Sequence, residues 1–299
     1  MDRFIAAALL ILAFLSSAFG AAATAALPAD VRVDAELVYA TRPTGPVMLD
    51  LYRPAATAPL PVVVWIHGGG WINGTRSKIE MPSRLLPAGY AIASISYRFA
   101  PKRSASGSIF PAQIEDCRSA VRWLRAHAQR YGLDGTRIGV WGGSAGGHLA
   151  ALLGTAAART EWDVGEHLDQ SSAVQAVCDW FGVTQFLPPE TPDTSTERAR
   201  IMAMPSLFSA TPASAPALAR AASPITHITA DCPPFLIMHG DKDTNVWPYH
   251  SQNLHAALRA AGVDSTFILV PGAEHKFTED AEFDQVRRFF DRCLGPSRR

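Results

Sequence analysis

A run of very small residues at 142–147 constrains this chain more than any other feature. Arg137-Ile138-Gly139-Val140-Trp141 reads as a short strand, and the Ala/Leu-rich stretch from Ala145 to Ala158 as a helix. Between them lies Gly142-Gly143-Ser144-Ala145-Gly146, a G-x-S-x-G pattern. A serine on so sharp a strand-to-helix turn needs tiny residues two places to either side, because the arms of the turn nearly touch. Such a turn lifts the Ser144 hydroxyl out of the sheet and aims the Ala145 N–H at whatever that hydroxyl attacks. The same five residues also fit a Gly-rich turn with Ser144 as an ordinary helix N-cap. The strand–helix context and two distant segments favour a nucleophile.

Strand and helix alternate along the rest of the chain. Val31 to Tyr39 and Met48 to Arg53 read as an antiparallel opening, joined by the turn Pro43-Thr44-Gly45-Pro46. Pro61 to His67 is a continuous apolar strand, the mark of burial on both faces. A helix is expected around Lys78 to Ala88, a buried strand at Ala91 to Tyr97, and a long amphipathic helix from Pro111 to Tyr131. Further strands are expected at Ala173–Cys178, Pro234–Met238 and Ser265–Val270, and helices at Tyr249–Ala261 and Glu279–Cys293. This order predicts an α/β fold: a mostly parallel central sheet of about eight strands with helices on both faces. Residues 27–299 form one domain in this reading. The Pro/Thr/Ser/Ala-rich segment 184–229 breaks the rhythm and reads as a cap-like insertion over the sheet, with helical pieces at Glu197–Met204 and Pro216–Ala222.

In open parallel sheets, sites form beyond the carboxyl ends of the strands. Five groups stand there: His67-Gly68-Gly69-Gly70, Ser144, Asp179, the pair Asp241 and Asp243, and His275. Serine needs a base to take its proton, and the base needs a third group to orient it. His275 follows the last strand, and the chain order Ser144, Asp243, His275 fits such a line. Asp243 is favoured over Asp179, which reads as a brace for its own loop. It is favoured over Asp241 because two more residues are needed to carry a side chain from the strand end toward the base. Consecutive glycines let a backbone turn its N–H groups inward, so Gly69, Gly70 and Ala145 are the expected donors to a developing oxyanion, worth about 2.7–4 kcal/mol each. His67 is expected to fix that loop, Trp71 to form a pocket wall, and Phe208 and Trp247 to join it. His239 belongs to the turn that places the acid. His127, His148, His167, His227, His250 and His255 read as structural or solvated.

Composition narrows the partners. Lysines plus arginines balance aspartates plus glutamates at 27 each, so nothing in bulk charge points to nucleic acid or an anionic membrane. Met1-Asp2-Arg3, the apolar run Phe4 to Phe19 and the small residues up to Ala26 read as a cleaved export signal covering 1–26. The run is short for a membrane anchor, so a secreted or periplasmic protein without a stable anchor is expected. None of the four cysteines has metal-ligand spacing, and no metal or other cofactor is expected. Cys232 and Cys293 stand at the same end of the sheet, which makes a bridge between them geometrically feasible, while Cys117 and Cys178 read as buried thiols.

Taken jointly, His67-Gly68-Gly69-Gly70-Trp71, Gly142-Gly143-Ser144-Ala145-Gly146-Gly147-His148-Leu149, Ser223-Pro224-Ile225, His239-Gly240-Asp241-Lys242-Asp243 and Gly272-Ala273-Glu274-His275 resemble the α/β-hydrolase superfamily. Within it the chain is similar to the esterase/lipase branch with an HGGG loop, notably the bifunctional feruloyl and acetyl xylan esterase (BD-FAE) type, over roughly residues 31–294. The resemblance implies Ser144 as nucleophile, Asp243 as acid and His275 as base of a serine carboxylesterase without a cofactor. Its substrate would be a small-molecule or polysaccharide-linked ester. One departure is Trp247, which stands between Val246 and Pro248 where relatives run Val-Pro directly. Related folds host arylformamidases and prolyl peptidases, so an amidase or peptidase is the rival enzyme class, and a non-catalytic binding module the rival outside enzymes. The insertion offers Phe186, Leu187, Met202, Met204, Leu207 and Phe208 to roof a pocket, but no long apolar stretch to bind lipid. Short acyl or aryl esters are therefore expected over long-chain fats.

Overall fold

The continuous apolar runs pair into one sheet. The computed structural model describes residues 27–101, 109–187, 207–208 and 214–295. The expected export segment 1–26 and the expected helix Glu197–Met204 lie outside them. Among the described residues, eight strands are ordered β1-β2-β4-β3-β5-β6-β7-β8. They are β1 (Arg32–Arg42), β2 (Gly45–Arg53), β3 (Leu60–Ile66), β4 (Ala91–Ile95), β5 (Leu133–Gly143), β6 (Ala176–Trp180), β7 (Phe235–Gly240) and β8 (Ser265–Val270). β1, β2 and β4 pair antiparallel, and every pair from β4–β3 to β7–β8 is parallel. The chain runs outward from β3 to β4 and then returns past β3 to β5. That reversal opens the crevice between the C-terminal ends of β3 and β5, where Ile66 pairs with Gly142.

Helices cover both faces: α1 (Ala112–Ala126), α2 (Ala128–Tyr131), α3 (Ala145–Thr155), α4 (Pro216–Ala222), α5 (Tyr249–Ala260) and α6 (Asp280–Leu294). Alternate strand residues feed two cores, as the two-residue period of a strand requires. Val62, Val64 and Ile66 pack with Ile114, Val121 and Leu149 on one side, while Val63 and Trp65 pack with Trp141, Phe283 and Phe290 on the other. In α1 the residues Ile114, Cys117, Val121 and Leu124 recur at helical spacing and are fully buried. Asp116 on the same helix is also buried. It receives the Arg42 Nε–H at 2.9 Å and the backbone and Nε–H groups of Arg98 at 3.0 and 2.8 Å, which anchors the chain just beyond β4.

Several boundaries differ from expectation, each for a local reason. The segment before β4 is a 3-10 helix over Pro82–Ala88 rather than an α-helix from Lys78, since Pro82 and Pro87 each remove a backbone donor. The helix expected over Pro111–Tyr131 is interrupted at His127, which separates α1 from α2. β6 begins at Ala176, not Ala173. Gln175 ends the loop by donating its N–H to the Ile138 carbonyl at 2.8 Å and accepting the Ile138 N–H on its side-chain oxygen at 3.0 Å. The bridge between Cys232 and Cys293 does not form, and all four thiols are free. Cys232 packs against the α1/α3 core and Cys293 against the α6 core, so the sheet lies between them.

The shift of β6 places Asp179 inside the strand, paired opposite Gly142 and Ile237, and fully buried. Its Oδ1 accepts the Gly182 N–H at 2.9 Å, which braces the turn after β6, while its Oδ2 has no hydrogen-bond partner. Burial pushes this carboxyl up to about 6, against the pull of His239 and the Gly182 N–H. An aspartate in the unfolded chain ionises near 3.9. Between roughly pH 4 and 6 the unfolded chain has therefore released a proton that the folded chain keeps, and stability falls as pH rises through that window. Asp179→Asn keeps the bond to Gly182 and removes the charge. Urea unfolding should find the variant gaining on the parent by on the order of 2 kcal/mol between pH 4 and pH 7. A stability difference independent of pH would contradict this account of the buried carboxylate.

Candidate active site

Ser144 sits at the end of β5 with φ 58° and ψ −121°, a strained setting for a residue with a Cβ. The crowding around it explains the glycines. A Cβ on Gly142 would collide with the Gly146 carbonyl, and one on Gly146 would collide with the carbonyls of Ile66 and His67. A Cβ on Gly68 would come within 2.9 Å of the Gly143 carbonyl and 3.4 Å of the Ser144 Cβ. The turn at Ser144 and the Gly-rich loop are thus in contact. The Ser144 N–H donates to the Trp180 carbonyl at 2.9 Å, and the His148 N–H to the Ser144 carbonyl at 2.9 Å.

The three residues expected to work together are in one hydrogen-bonded line. His275 Nε2 lies 2.8 Å from Ser144 Oγ, and His275 Nδ1 lies 2.6 Å from Asp243 Oδ2. Asp243 is only 4% exposed, and its Oδ1 accepts the N–H groups of Asn245 at 2.8 Å and Val246 at 3.0 Å. Burial opposes its charge, but hydrogen bonds from His239, His275 and the Val246 N–H outweigh it and hold the carboxyl well below the usual carboxylate range. Asp243 is therefore a fixed anion that keeps the proton on His275 Nδ1. That leaves Nε2 free to accept from the serine hydroxyl. Such a line can draw a proton from Ser144 and stabilise the imidazolium that results.

Asp241 does not join the line. It is exposed, and its Oδ1 accepts the Gly272 N–H at 2.7 Å, so it braces the loop that carries His275. Phe181 packs its ring 4.6 Å from the His275 ring and limits where that imidazole can swing. Nothing in the sequence singles out Phe181, and His239 reads there only as part of a turn. His239 is fully buried at the end of β7. Its Nε2–H donates to the Val246 carbonyl at 2.8 Å and lies 3.2 Å from Asp243 Oδ2, and its Nδ1 is 2.7 Å from Ser251 Oγ. The signal available in the sequence is its place four residues before Asp243.

The Gly-rich loop carries Gly69 at φ 115° and Gly70 at φ 61°, and no hydrogen bond within the described residues uses the N–H groups of Gly69, Gly70 or Ala145. His67 stabilises this loop: its Nδ1–H donates to the Gly68 carbonyl at 2.7 Å, and its ring stacks on Tyr97 at 4.6 Å. Tyr97 in turn donates to the His67 carbonyl at 3.1 Å. Burial lowers the affinity of the His67 ring for a second proton.

The expected pocket walls are placed differently. Trp71 is 3% exposed and commits its indole N–H to His148 Nδ1 at 3.0 Å. Phe208 is likewise buried, packed edge-on against Phe186 at 5.1 Å and near Phe110 at 6.5 Å. Both belong to the core beneath the site, because the insertion lays Phe186, Leu207 and Phe208 onto the sheet rather than leaving them as open walls. Trp247 is half-buried in the segment after Asp243. Met202 and Met204 lie outside the described residues.

Comparison with known proteins follows the same lines. The BD-FAE family matches residues 49–258. Esterase LipQ of Mycobacterium tuberculosis is 35% identical over 77% of this chain and 54% of its own length. Esterase LipC of the same organism is 32% identical over 77% of this chain and 57% of its own length. The chain thus spans about half the length of the curated relatives it matches. Among solved structures, a truncated form of a carbohydrate esterase from gut microbiota superposes with a TM-score of 0.75 at 29% identity, covering 89% of this chain and 97% of that one. A bifunctional GH43-CE protein of Bacteroides eggerthii superposes with a TM-score of 0.75 at 31% identity, covering 88% of this chain and 38% of that one. On these matches the chain belongs to the BD-FAE family of α/β-hydrolase esterases.

Proposed function

We propose that this protein is a serine carboxylesterase that cleaves short acyl or aryl esters, of acetyl or feruloyl type, through an acyl-enzyme. The observation that carries the reading is the unbroken line from Ser144 Oγ through His275 to Asp243, at 2.8 and 2.6 Å, ending on a serine in strained backbone. The esterases among its relatives support it. The resemblance to a carbohydrate esterase favours an ester borne on a sugar or polysaccharide as well as a free small molecule. The apolar run ahead of residue 27 supports export, to the periplasm or the medium.

In this reading Ser144 Oγ attacks the ester carbonyl carbon while its proton passes to His275 Nε2. The carbonyl oxygen becomes an oxyanion that accepts from the N–H groups of Gly69, Gly70 and Ala145. Collapse of the tetrahedral intermediate breaks the carbon–oxygen bond to the alcohol, which leaves with the proton from His275. Water then repeats the sequence on the acyl-serine: His275 takes its proton, and the carboxylic acid departs as Ser144 recovers its hydrogen. Asp243 stays ionised throughout and fixes the tautomer of the base.

Purified protein should hydrolyse p-nitrophenyl acetate and leave the matching anilide untouched, with emulsified long-chain triglyceride a poor substrate. A preference for the anilide would assign an amidase, and a preference for emulsified fat a lipase. Asp243→Asn should lose roughly 10³–10⁴ in kcat, by analogy with amide replacement in other triads. Asp241→Asn and Asp179→Asn should lose far less. A dead Asp179→Asn beside an active Asp243→Asn would place the acid on the wrong strand.

A further inference from the structure

Three successive residues, Gly69, Gly70 and Trp71, have φ of 115°, 61° and 62°. Glycine adopts such values freely, but for tryptophan the left-handed region costs on the order of 1–2 kcal/mol. A residue stays there only where its surroundings over-determine it. Around Trp71 they do. Its carbonyl accepts the Ala100 N–H at 2.8 Å, its indole N–H donates to His148 Nδ1 at 3.0 Å, and its ring meets the His148 ring edge-on at 5.3 Å.

His148 is fully buried on α3, one turn after Ser144, and makes three separate attachments. Its backbone N–H donates to the Ser144 carbonyl at 2.9 Å. Its Nδ1 accepts from Trp71 in the Gly-rich loop, and its Nε2 lies 2.7 Å from the carbonyl of Ala222, the last residue of α4 in the insertion. A carbonyl only accepts, so the proton must sit on Nε2 and Nδ1 must be bare, which is the tautomer that the indole needs. Burial pushes this imidazole down to about 4, so the neutral form holds at neutral pH. Phe186, at the start of the insertion, packs on both rings at 5.7 and 5.1 Å. Its N–H is received by Ser223 Oγ at 2.9 Å, next to Ala222.

We infer that His148 is a positioning residue. Through Trp71 it registers the Gly68–Trp71 loop against Ser144, and through Ala222 it ties that loop to the seat of the insertion. This rests on the reading of Ser144 as nucleophile and of the Gly69 and Gly70 N–H groups as oxyanion donors. Those donors work only if the strained loop keeps them at hydrogen-bond distance from an oxygen that exists in the transition state. Loss of the indole–imidazole bond then weakens transition-state binding more than substrate binding.

The test is Trp71→Phe, which keeps an aromatic ring and deletes the N–H, together with His148→Leu and the double variant. Each is assayed on p-nitrophenyl acetate after circular dichroism shows it folded, with Ser144→Ala in parallel. Trp71→Phe should lower kcat on the order of 10–10²-fold, somewhat less than deletion of a donor itself, with KM nearly unchanged. His148→Leu, which also gives up the bond to Ala222, should lower kcat at least as far, and the double variant should be little worse than His148→Leu alone, because that substitution already breaks the bond that Trp71→Phe deletes. A purely structural bond would lower the melting temperature and leave kcat alone. That result, a loss carried by KM, or losses that multiply in the double variant would each overturn the inference. Full activity in Ser144→Ala would instead overturn the reading on which it rests.

Discussion

Everything at the site depends on how close two backbones come between β3 and β5. Ile66 pairs with Gly142, and the chain beyond each of them then turns across the other. Glycine at 68, 142 and 146 is the only side chain that leaves room, since a Cβ at any of these places meets a carbonyl or the serine itself. That crowding fixes Ser144 at an unfavourable φ, and it brings Gly68 of the Gly-rich loop against the same turn. The sheet pays for the strain with two continuous cores. A turn as strained as the one at Ser144 would relax on a looser scaffold.

The second organising constraint is the cost of burying polar groups. Asp243 lies almost wholly inside, yet four N–H groups approach its two oxygens, from Asn245, Val246, His275 and His239. His239 and His148 are fully buried and each has a backbone carbonyl on Nε2, which holds a proton on that nitrogen. Asp179 is the counter-example, with one oxygen left unpaired and its proton held more tightly as a result. Burial beside the site thus yields opposite behaviour in two aspartates, decided by the number of donors each one meets.

What could be read from the sequence follows from the range of the forces involved. The steric demand at Gly142 and Gly146 is local, and so is the apolar run of β3, buried on both faces. Both were therefore legible. The line from Ser144 to Asp243 and His275 is legible because each residue lies in the segment just beyond a strand, and parallel strands deliver their ends to one edge. The contacts of Trp71 were not: its partner is 77 residues away and reads as one more helical histidine. Nor was the separation of Cys232 from Cys293, because chain order shows which end of a sheet a residue occupies but not which face of it. β6 begins later than its apolar pattern suggests because the side chain of Gln175 substitutes for a backbone partner, an exchange that no periodicity reveals.

The claim on which the rest turns is that Ser144 is the activated nucleophile. A fluorophosphonate probe reacts with a serine whose proton is drawn off by a base, so the folded protein should take up one equivalent, and peptide mapping should place it on the segment containing Ser144. His275→Ala should label far more slowly, having lost the base 2.8 Å from that hydroxyl. Labelling of a different serine, or none at all in folded protein, would contradict the account.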